Sequence, residues 1–130
     1  KILSVCVAKD ESYIVYRFGA QGNIEFEFPE NKTGSWDKFA VSLMQSRLDD
    51  MYKLEFANYG YKYEVYHNYE RQRGDGNYDF HSVGVVITKV STGKQTNLEG
   101  ISNSIIGSLD ESQKYKKLKI TTEEIKPDDD

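Results

Sequence analysis

Hydrophobic and polar residues alternate at every second position through much of this chain. The alternation is clearest from Asn58 to Tyr69, where Tyr, Val and His occupy alternate positions from Tyr59 onward. Because a strand sends successive side chains to opposite faces, and aromatic and β-branched residues favour strands, this segment predicts a strand. One face of it would carry Tyr59, Tyr61 and Tyr69, and the other would carry Tyr66.

Similar patterns predict further strands, separated by turn-forming Gly, Asn, Asp and Ser residues. The apolar positions of Trp36–Leu48 fit both a helix and a strand, and we prefer a strand because the neighbouring segments predict strands. The remaining predicted strands are residues 2–8, 13–18, 24–28, 52–56, 83–90 and 95–98, with a short one within 101–109. This pattern predicts an all-β fold, a single-domain antiparallel sandwich or barrel-like meander of about eight strands.

The length of 130 residues is typical of one domain with a real core. We place this single β domain at residues 1–120. Residues 121–130 are mostly acidic with few apolar side chains, so they predict a disordered tail. Residues 70–81 are polar and predict a connection between two strands, and residues 110–117 predict a helical turn or a loop.

The charge balance limits the class of partner. The formal net charge is −4, with no basic block outside a short Lys cluster near the C-terminus, which argues against nucleic acid. No apolar run approaches the ~20 residues of a membrane-spanning helix. The chain begins at Lys1 rather than Met, which is compatible with a removed leader peptide.

Candidate chemistry is sparse along the chain. It carries no G-x-S-x-G, no H-E-x-x-H and no phosphate-binding Gly loop, so we expect a protein that is not an enzyme and needs no cofactor. The only two histidines, His67 and His81, fall near the ends of a predicted hairpin, and we expect them on the surface. Cys6, the only cysteine, lies in an apolar run and is either a small buried residue or the partner of a cysteine upstream of Lys1.

Two short motifs in the 70–81 connection have simpler explanations. Asp75–Asp79 resembles the opening of a calcium loop, but Phe80 and Val86 stand where glycine and a bidentate acid are needed. Arg73-Gly74-Asp75 matches the integrin-recognition tripeptide. Asp, Gly and Asn favour turns in any case, so we predict no metal site here.

Three segments resemble a group of small uncharacterised exported proteins of Gram-negative bacteria. They are S-V-C-V-A-K-D-E-S-Y-I-V-Y-R-F-G at 4–19, I-E-F-E-F-P at 24–29 and L-E-F-A-N-Y-G-Y-K-Y-E-V-Y at 54–66. The resemblance implies an all-β protein with a periplasmic or secreted location, similar in style to lysozyme inhibitors and toxin-immunity proteins. Such proteins often carry paired cysteines, whereas this chain has Cys6 alone.

These observations lead to two functional expectations. The first is a non-catalytic inhibitor or immunity protein that neutralises a bacterial toxin or lytic enzyme by protein–protein contact. A loop held at both ends by a scaffold is a common recognition element, and Tyr and Arg are frequent anchors of interfaces. The alternative is an extracytoplasmic carbohydrate or small-ligand binding module that uses exposed aromatic rings. The predicted partner-binding residues are Arg71, Arg73, Tyr78, Asp79, Tyr61 and Tyr66.

Overall fold

The structure is a computed structural model that describes residues 1–46, 49–71, 78–101 and 104–124. Within these residues it contains nine strands and short 3₁₀ helices. The predicted all-β character is therefore confirmed. The chain divides into two compact units, Lys1–Phe39 and Ala40–Asp130, and each is described by itself.

The first unit is a three-stranded antiparallel meander. Its strands are β1 (Ile2–Val7), β2 (Ile14–Ala20) and β3 (Asn23–Phe28), paired in chain order, as their turn-separated patterns predicted. A 3₁₀ helix over Ser35–Lys38 follows β3.

Aromatic packing and two hydrogen bonds stabilise the first unit. The ring of Tyr16 packs edge-on against Phe26, with centroids 5.9 Å apart, a favourable geometry. Ser35 is fully buried, and its Oγ accepts a hydrogen bond from the backbone N–H of Ile14 at 2.9 Å. The indole N–H of Trp36 donates to the carbonyl oxygen of Glu11 at 2.9 Å. The 3₁₀ helix is thus joined to the start of β2.

The second unit is a six-stranded sheet. Its strands are β4 (Ala40–Gln45), β5 (Asp49–Asn58), β6 (Tyr61–Arg71), β7 (Tyr78–Lys89), β8 (Gln95–Glu99) and β9 (Lys119–Glu124). The spatial order is β8-β7-β6-β5-β4-β9. From β4 to β8 each strand pairs antiparallel with the next, whereas β9 pairs parallel with β4.

Alternation in the second sheet places the core on one face. Val41, Leu54, Phe56, Val65 and Val85 are all buried on this face, and cross-strand pairing brings Leu54 opposite Val65, and Val65 opposite Val85. The other face carries charged pairs such as Lys53 and Glu64, whose side chains approach to 3.1 Å. This is the expected division of an antiparallel sheet with one buried face.

The structure corrects four local predictions. Trp36 lies in a 3₁₀ helix, so the predicted Trp36–Leu48 strand is limited to Ala40–Gln45. Tyr59 lies in a turn before β6 and not in the strand. The 70–81 connection is shorter than predicted, because β6 continues to Arg71 and β7 begins at Tyr78, and its residues 72–77 lie outside the described part of the chain. The described part of 101–109 contains no strand, since no neighbouring strand pairs with it.

The strand β9 was not predicted at all. It includes residues 121–124, which the sequence analysis assigned to the acidic tail, and residues 125–130 lie outside the described part of the chain. A parallel pair requires a crossover of a dozen residues or more. Here residues 100–118, including a 3₁₀ helix over Leu109–Lys114, lead from β8 at one edge of the sheet to β9 at the other. The single-domain assignment of 1–120 stays a prediction.

Candidate functional site

The six predicted binding residues are spread along the β6–β7 hairpin. Tyr61 begins β6 and Arg71 ends it, while Tyr78 and Asp79 begin β7. Arg73 lies outside the described residues. Because a strand rises about 3.3 Å per residue, the ten steps from Tyr61 to Arg71 separate these two residues by roughly 30 Å. The hairpin therefore separates Tyr61 from the predicted residues at its other end.

Strand pairing holds the end of the hairpin that carries Arg71, Tyr78 and Asp79, which we call the hairpin tip. Glu70 pairs with Phe80, and Arg71 pairs with Tyr78 after a shift in register that leaves Asp79 as an extra residue on β7. Such bulges re-aim side chains and often lie next to functional sites. The backbone of the tip is thus set by the sheet up to the 72–77 connection.

The neighbouring strand β5 supports the hairpin almost to its tip. Its pairing with β6 extends to Asp49 opposite Glu70, so β6 is an interior strand along nearly its whole length. On the other side of the hairpin, β7 pairs with β8 from Thr88 to Gly84. The hairpin tip therefore extends from a sheet in which β6 is hydrogen-bonded on both sides over nearly its whole length, and β7 over residues 84–88.

Tyr66 lies midway along the hairpin and is already engaged. Its hydroxyl donates to Oδ1 of Asn97 on β8 at 3.0 Å, and its ring lies over Gly84, its partner in register. Burial raises the pKa of the Tyr66 hydroxyl, and the negative charge of Glu99 raises it further. Tyr61 and Tyr66 fall on opposite faces of β6, so the structure does not bring them together.

A cluster of polar and aromatic side chains lies on the buried face below the hairpin tip. The ring of His67 stacks on Tyr69, with centroids 4.5 Å apart, and Tyr69 in turn packs edge-on against Tyr52 at 5.6 Å. The hydroxyl groups of Tyr69 and Ser108 are hydrogen-bonded to each other. Leu109 packs against the same cluster. The segment that crosses from β8 to β9 is thereby attached to the sheet.

The two histidines are coupled within this cluster. His67 is only 3% exposed, so the predicted surface position is wrong for His67, and His81 is half-buried. The backbone N–H of Leu109 donates to Nδ1 of His67 at 3.4 Å, which places the imidazole proton on Nε2. That nitrogen lies 3.4 Å from Nδ1 of His81 and donates to it. Alternation had already placed His67 on the face of Val65 and Tyr69, and that was the signal for its burial.

The described residues hold no group of three or more His, Cys, Asp or Glu side chains arranged to bind a metal ion. The calcium-like and integrin-like motifs fall mostly in residues 72–77, outside the described part of the chain. Cys6 is a free, half-buried thiol on β1. No helix among the described residues is long and apolar enough to cross a membrane.

Sequence reasoning did not name Tyr59 as a candidate binding residue. It occupies the left-handed region with φ 46°, which few non-glycine residues adopt, and its side chain is 91% exposed. The sequence did carry a signal for this turn. Two residues, Tyr59 and Gly60, follow Asn58 and join two strands, and two-residue turns of this kind prefer Asn and Gly.

Comparison of the chain with protein-family models, with curated proteins and with solved structures finds no match.

Proposed function

We propose that this chain is a non-catalytic binding protein, an inhibitor or immunity protein that neutralises a bacterial toxin or lytic enzyme through its hairpin tip. The observation that carries the proposal is the pairing of Arg71 with Tyr78 at the end of the longest hairpin of the sheet. A periplasmic or secreted location belongs to the same proposal, since the resemblance to exported proteins implies it.

Rigid support of the hairpin tip favours tight binding. Association costs free energy for each loop or side chain that must be ordered, and a backbone already set by strand pairing avoids part of that cost. The strands β6 and β7 are 11 and 12 residues long, and β5 supports β6 as far as Glu70. The strand ends that carry Arg71 and Tyr78 are thus pre-organised for contact with a partner.

The residue types at the tip fit a protein interface. Arg and Tyr are enriched among residues that dominate binding energy, and such residues cluster at the centre of an interface. Arg71, Arg73 and Tyr78 fall within eight consecutive positions, followed by Asp79. Both charge signs are therefore available for contacts with a partner.

The structure gives less support to the alternative, a carbohydrate or small-ligand module. A sugar platform needs an exposed ring, but Tyr66 is hydrogen-bonded to Asn97 and lies over Gly84. Tyr61 is 40% exposed but faces the opposite side of β6. The two rings cannot contact one ligand.

The test is a pull-down from the producing organism with the full chain, followed by a binding titration against the toxin or lytic enzyme that it captures. We expect Arg71→Ala, Arg73→Ala or Tyr78→Ala to weaken the complex by at least ~2 kcal/mol, or about 30-fold in Kd, with little change in Tm. Lys9→Ala is the matched control, because Lys9 is exposed in the other unit. If all three variants bind a verified partner as tightly as the parent chain, the hairpin tip is not the binding site.

A further inference from the structure

Two turns lie side by side at the end of the β6–β7 hairpin opposite its tip. Tyr59-Gly60 connects β5 to β6, and residues 90–94 connect β7 to β8. The N–H of Val90 donates to the carbonyl oxygen of Gly60 at 3.0 Å, and the N–H of Lys89 donates to the carbonyl oxygen of Lys94 at 2.9 Å. Because the first of these hydrogen bonds joins the two turns and the second closes the turn after β7, the two turns form one surface, which we call the turn surface.

The backbone of Tyr59, in the turn surface, is strained. A two-residue turn with positive φ at both central positions favours Asn and Gly. Here φ is 46° at Tyr59 and 80° at Gly60, so a Tyr occupies the position that favours Asn. The Tyr59 side chain is 91% exposed, so packing within the fold does not offset the strain. Residues held in such conformations cluster at functional sites.

Two further exposed apolar side chains belong to the turn surface. Tyr61 is 40% exposed and Val90 is 66% exposed, and the hydrogen bond from Val90 to Gly60 fixes these residues close to the turn. Aromatic rings with few rotatable bonds provide contact area at low entropic cost. An exposed group of apolar side chains on a rigid backbone is typical of an interaction surface.

The charge of the turn surface is opposite to that of the whole chain. Residues 56–63 and 87–96 contain Lys62, Lys89 and Lys94 but no Asp or Glu, although the formal net charge of the chain is −4. Lys62 approaches Glu55 and Glu64, whereas no described carboxylate forms an ion pair with Lys89 or Lys94. Charge complementarity therefore selects an acidic partner.

We propose that the turn surface binds an acidic protein segment, in which an apolar or aromatic side chain contacts Tyr59, Tyr61 and Val90 while carboxylates pair with Lys89 and Lys94. A protein segment fits better than nucleic acid, because phosphate backbones need many more cations than the turn surface offers. This surface is separate from the hairpin tip, roughly 30 Å away along strands that rise about 3.3 Å per residue. The proposal therefore does not rest on the inhibitor function.

The experiment selects peptides from a random phage-displayed library on the immobilised full chain, and then measures the Kd of the enriched peptides. We expect these peptides to be acidic and to contain aromatic or aliphatic residues. Lys89→Glu should weaken their binding by at least about tenfold, and Tyr59→Asn should do the same. Lys9→Glu is the control with the same change of charge at an exposed site in the other unit.

Tyr59→Asn separates a binding role from a structural one. Asn adopts positive φ more readily than Tyr, so this variant should melt a few degrees higher than the parent chain while it loses peptide binding. Enrichment of neutral or basic peptides, an absence of enrichment, or equal binding by Lys89→Glu and Lys9→Glu would overturn the proposal. Tighter binding of a single-stranded oligonucleotide than of the acidic peptides would overturn it as well.

Discussion

Tyr66 on β6 covers Gly84 on β7, directly across the strand pair. A β-carbon at residue 84 would lie 2.7 Å from Cζ of Tyr66 and 2.6 Å from the carbonyl oxygen of Leu98 on β8. Neither distance is compatible with normal packing. The tyrosine ring thus occupies the space that a side chain at residue 84 would take. Its hydroxyl donates a hydrogen bond to Asn97 on β8.

This relationship predicts that Gly84→Ala destabilises the second sheet. Overpacking of this kind costs about 1–3 kcal/mol, and the cost should be smaller in a Tyr66→Ala background because the ring no longer obstructs the methyl group. Urea denaturation of the two single variants and the double variant gives the coupling energy, which we expect to exceed ~0.5 kcal/mol. Equal costs in both backgrounds would show that only the backbone of Leu98 resists the methyl group.

A second prediction concerns alkaline pH. Burial raises the pKa of Tyr63 and of Tyr66 above the ordinary value of 10.0, so the fold favours the protonated phenols. Their contribution to stability is full below pH 10 and is lost as the pH rises through the folded-state pKa, because the unfolded chain ionises first. We expect the urea midpoint to fall less steeply with pH in Tyr66→Phe than in the parent chain. Tyr63→Phe should reduce the slope in the same way, because burial raises the pKa of its phenol as well.

A third prediction concerns His67. Replacing it by Ala removes the acceptor for the part-buried N–H of Leu109 and the stacking on Tyr69, and the loss of one hydrogen bond costs about 0.5–1.5 kcal/mol. Amide exchange of Leu109, followed by NMR, should accelerate more than exchange within β1–β3. Asn68→Ala, on the opposite face of β6, is the control. An unchanged exchange rate at Leu109 in His67→Ala would mean that the histidine does not hold the crossing segment.

A fourth prediction tests the first unit. Ser35→Ala leaves the N–H of Ile14 without its side-chain acceptor at a fully buried site, so we expect a loss of about 1–3 kcal/mol in the free energy of unfolding. Fluorescence of Trp36, the only tryptophan, reports unfolding at the adjacent residue. Ser12→Ala, at an exposed position, should change the free energy by less than about 0.5 kcal/mol. Similar values for the two variants would contradict this reading of Ser35.

The sequence predicted the strands that are marked by hydrophobic patterns and turn residues next to one another in the chain. The strands β1–β3 and β5–β7 combine apolar alternation or an apolar run with a turn signal, β8 follows a turn signal alone, and in each case the antiparallel neighbour is adjacent in the chain. The strand β9 lacks both signals, since Lys119–Glu124 is polar except for Ile120, and its partner β4 lies far away in sequence. Conversely, residues 101–109 are apolar enough for a strand, but an apolar segment forms no strand without a neighbour to pair with.

The candidate surfaces show the same limit. Sequence alone placed Arg71, Tyr78 and Asp79 beside a loop, but the bulge that leaves Asp79 unopposed depends on the register between two strands. The strain at Tyr59 depends on a backbone angle, which follows from turn length and is only suggested by residue types. Side-chain periodicity predicts faces, whereas register and turn geometry decide which residues meet on them.

The parallel pair of β4 and β9 has a consequence for how the protein is made. During synthesis β4 leaves the ribosome early, and β5 soon covers one of its edges, but the other edge waits for residues 119–124. Through that interval the nascent chain exposes an unpaired strand edge, the feature through which chains associate wrongly. A nascent chain that ends before residue 119 therefore presents the open edge of β4. We expect co-translational chaperones to bind this chain mainly at that stage.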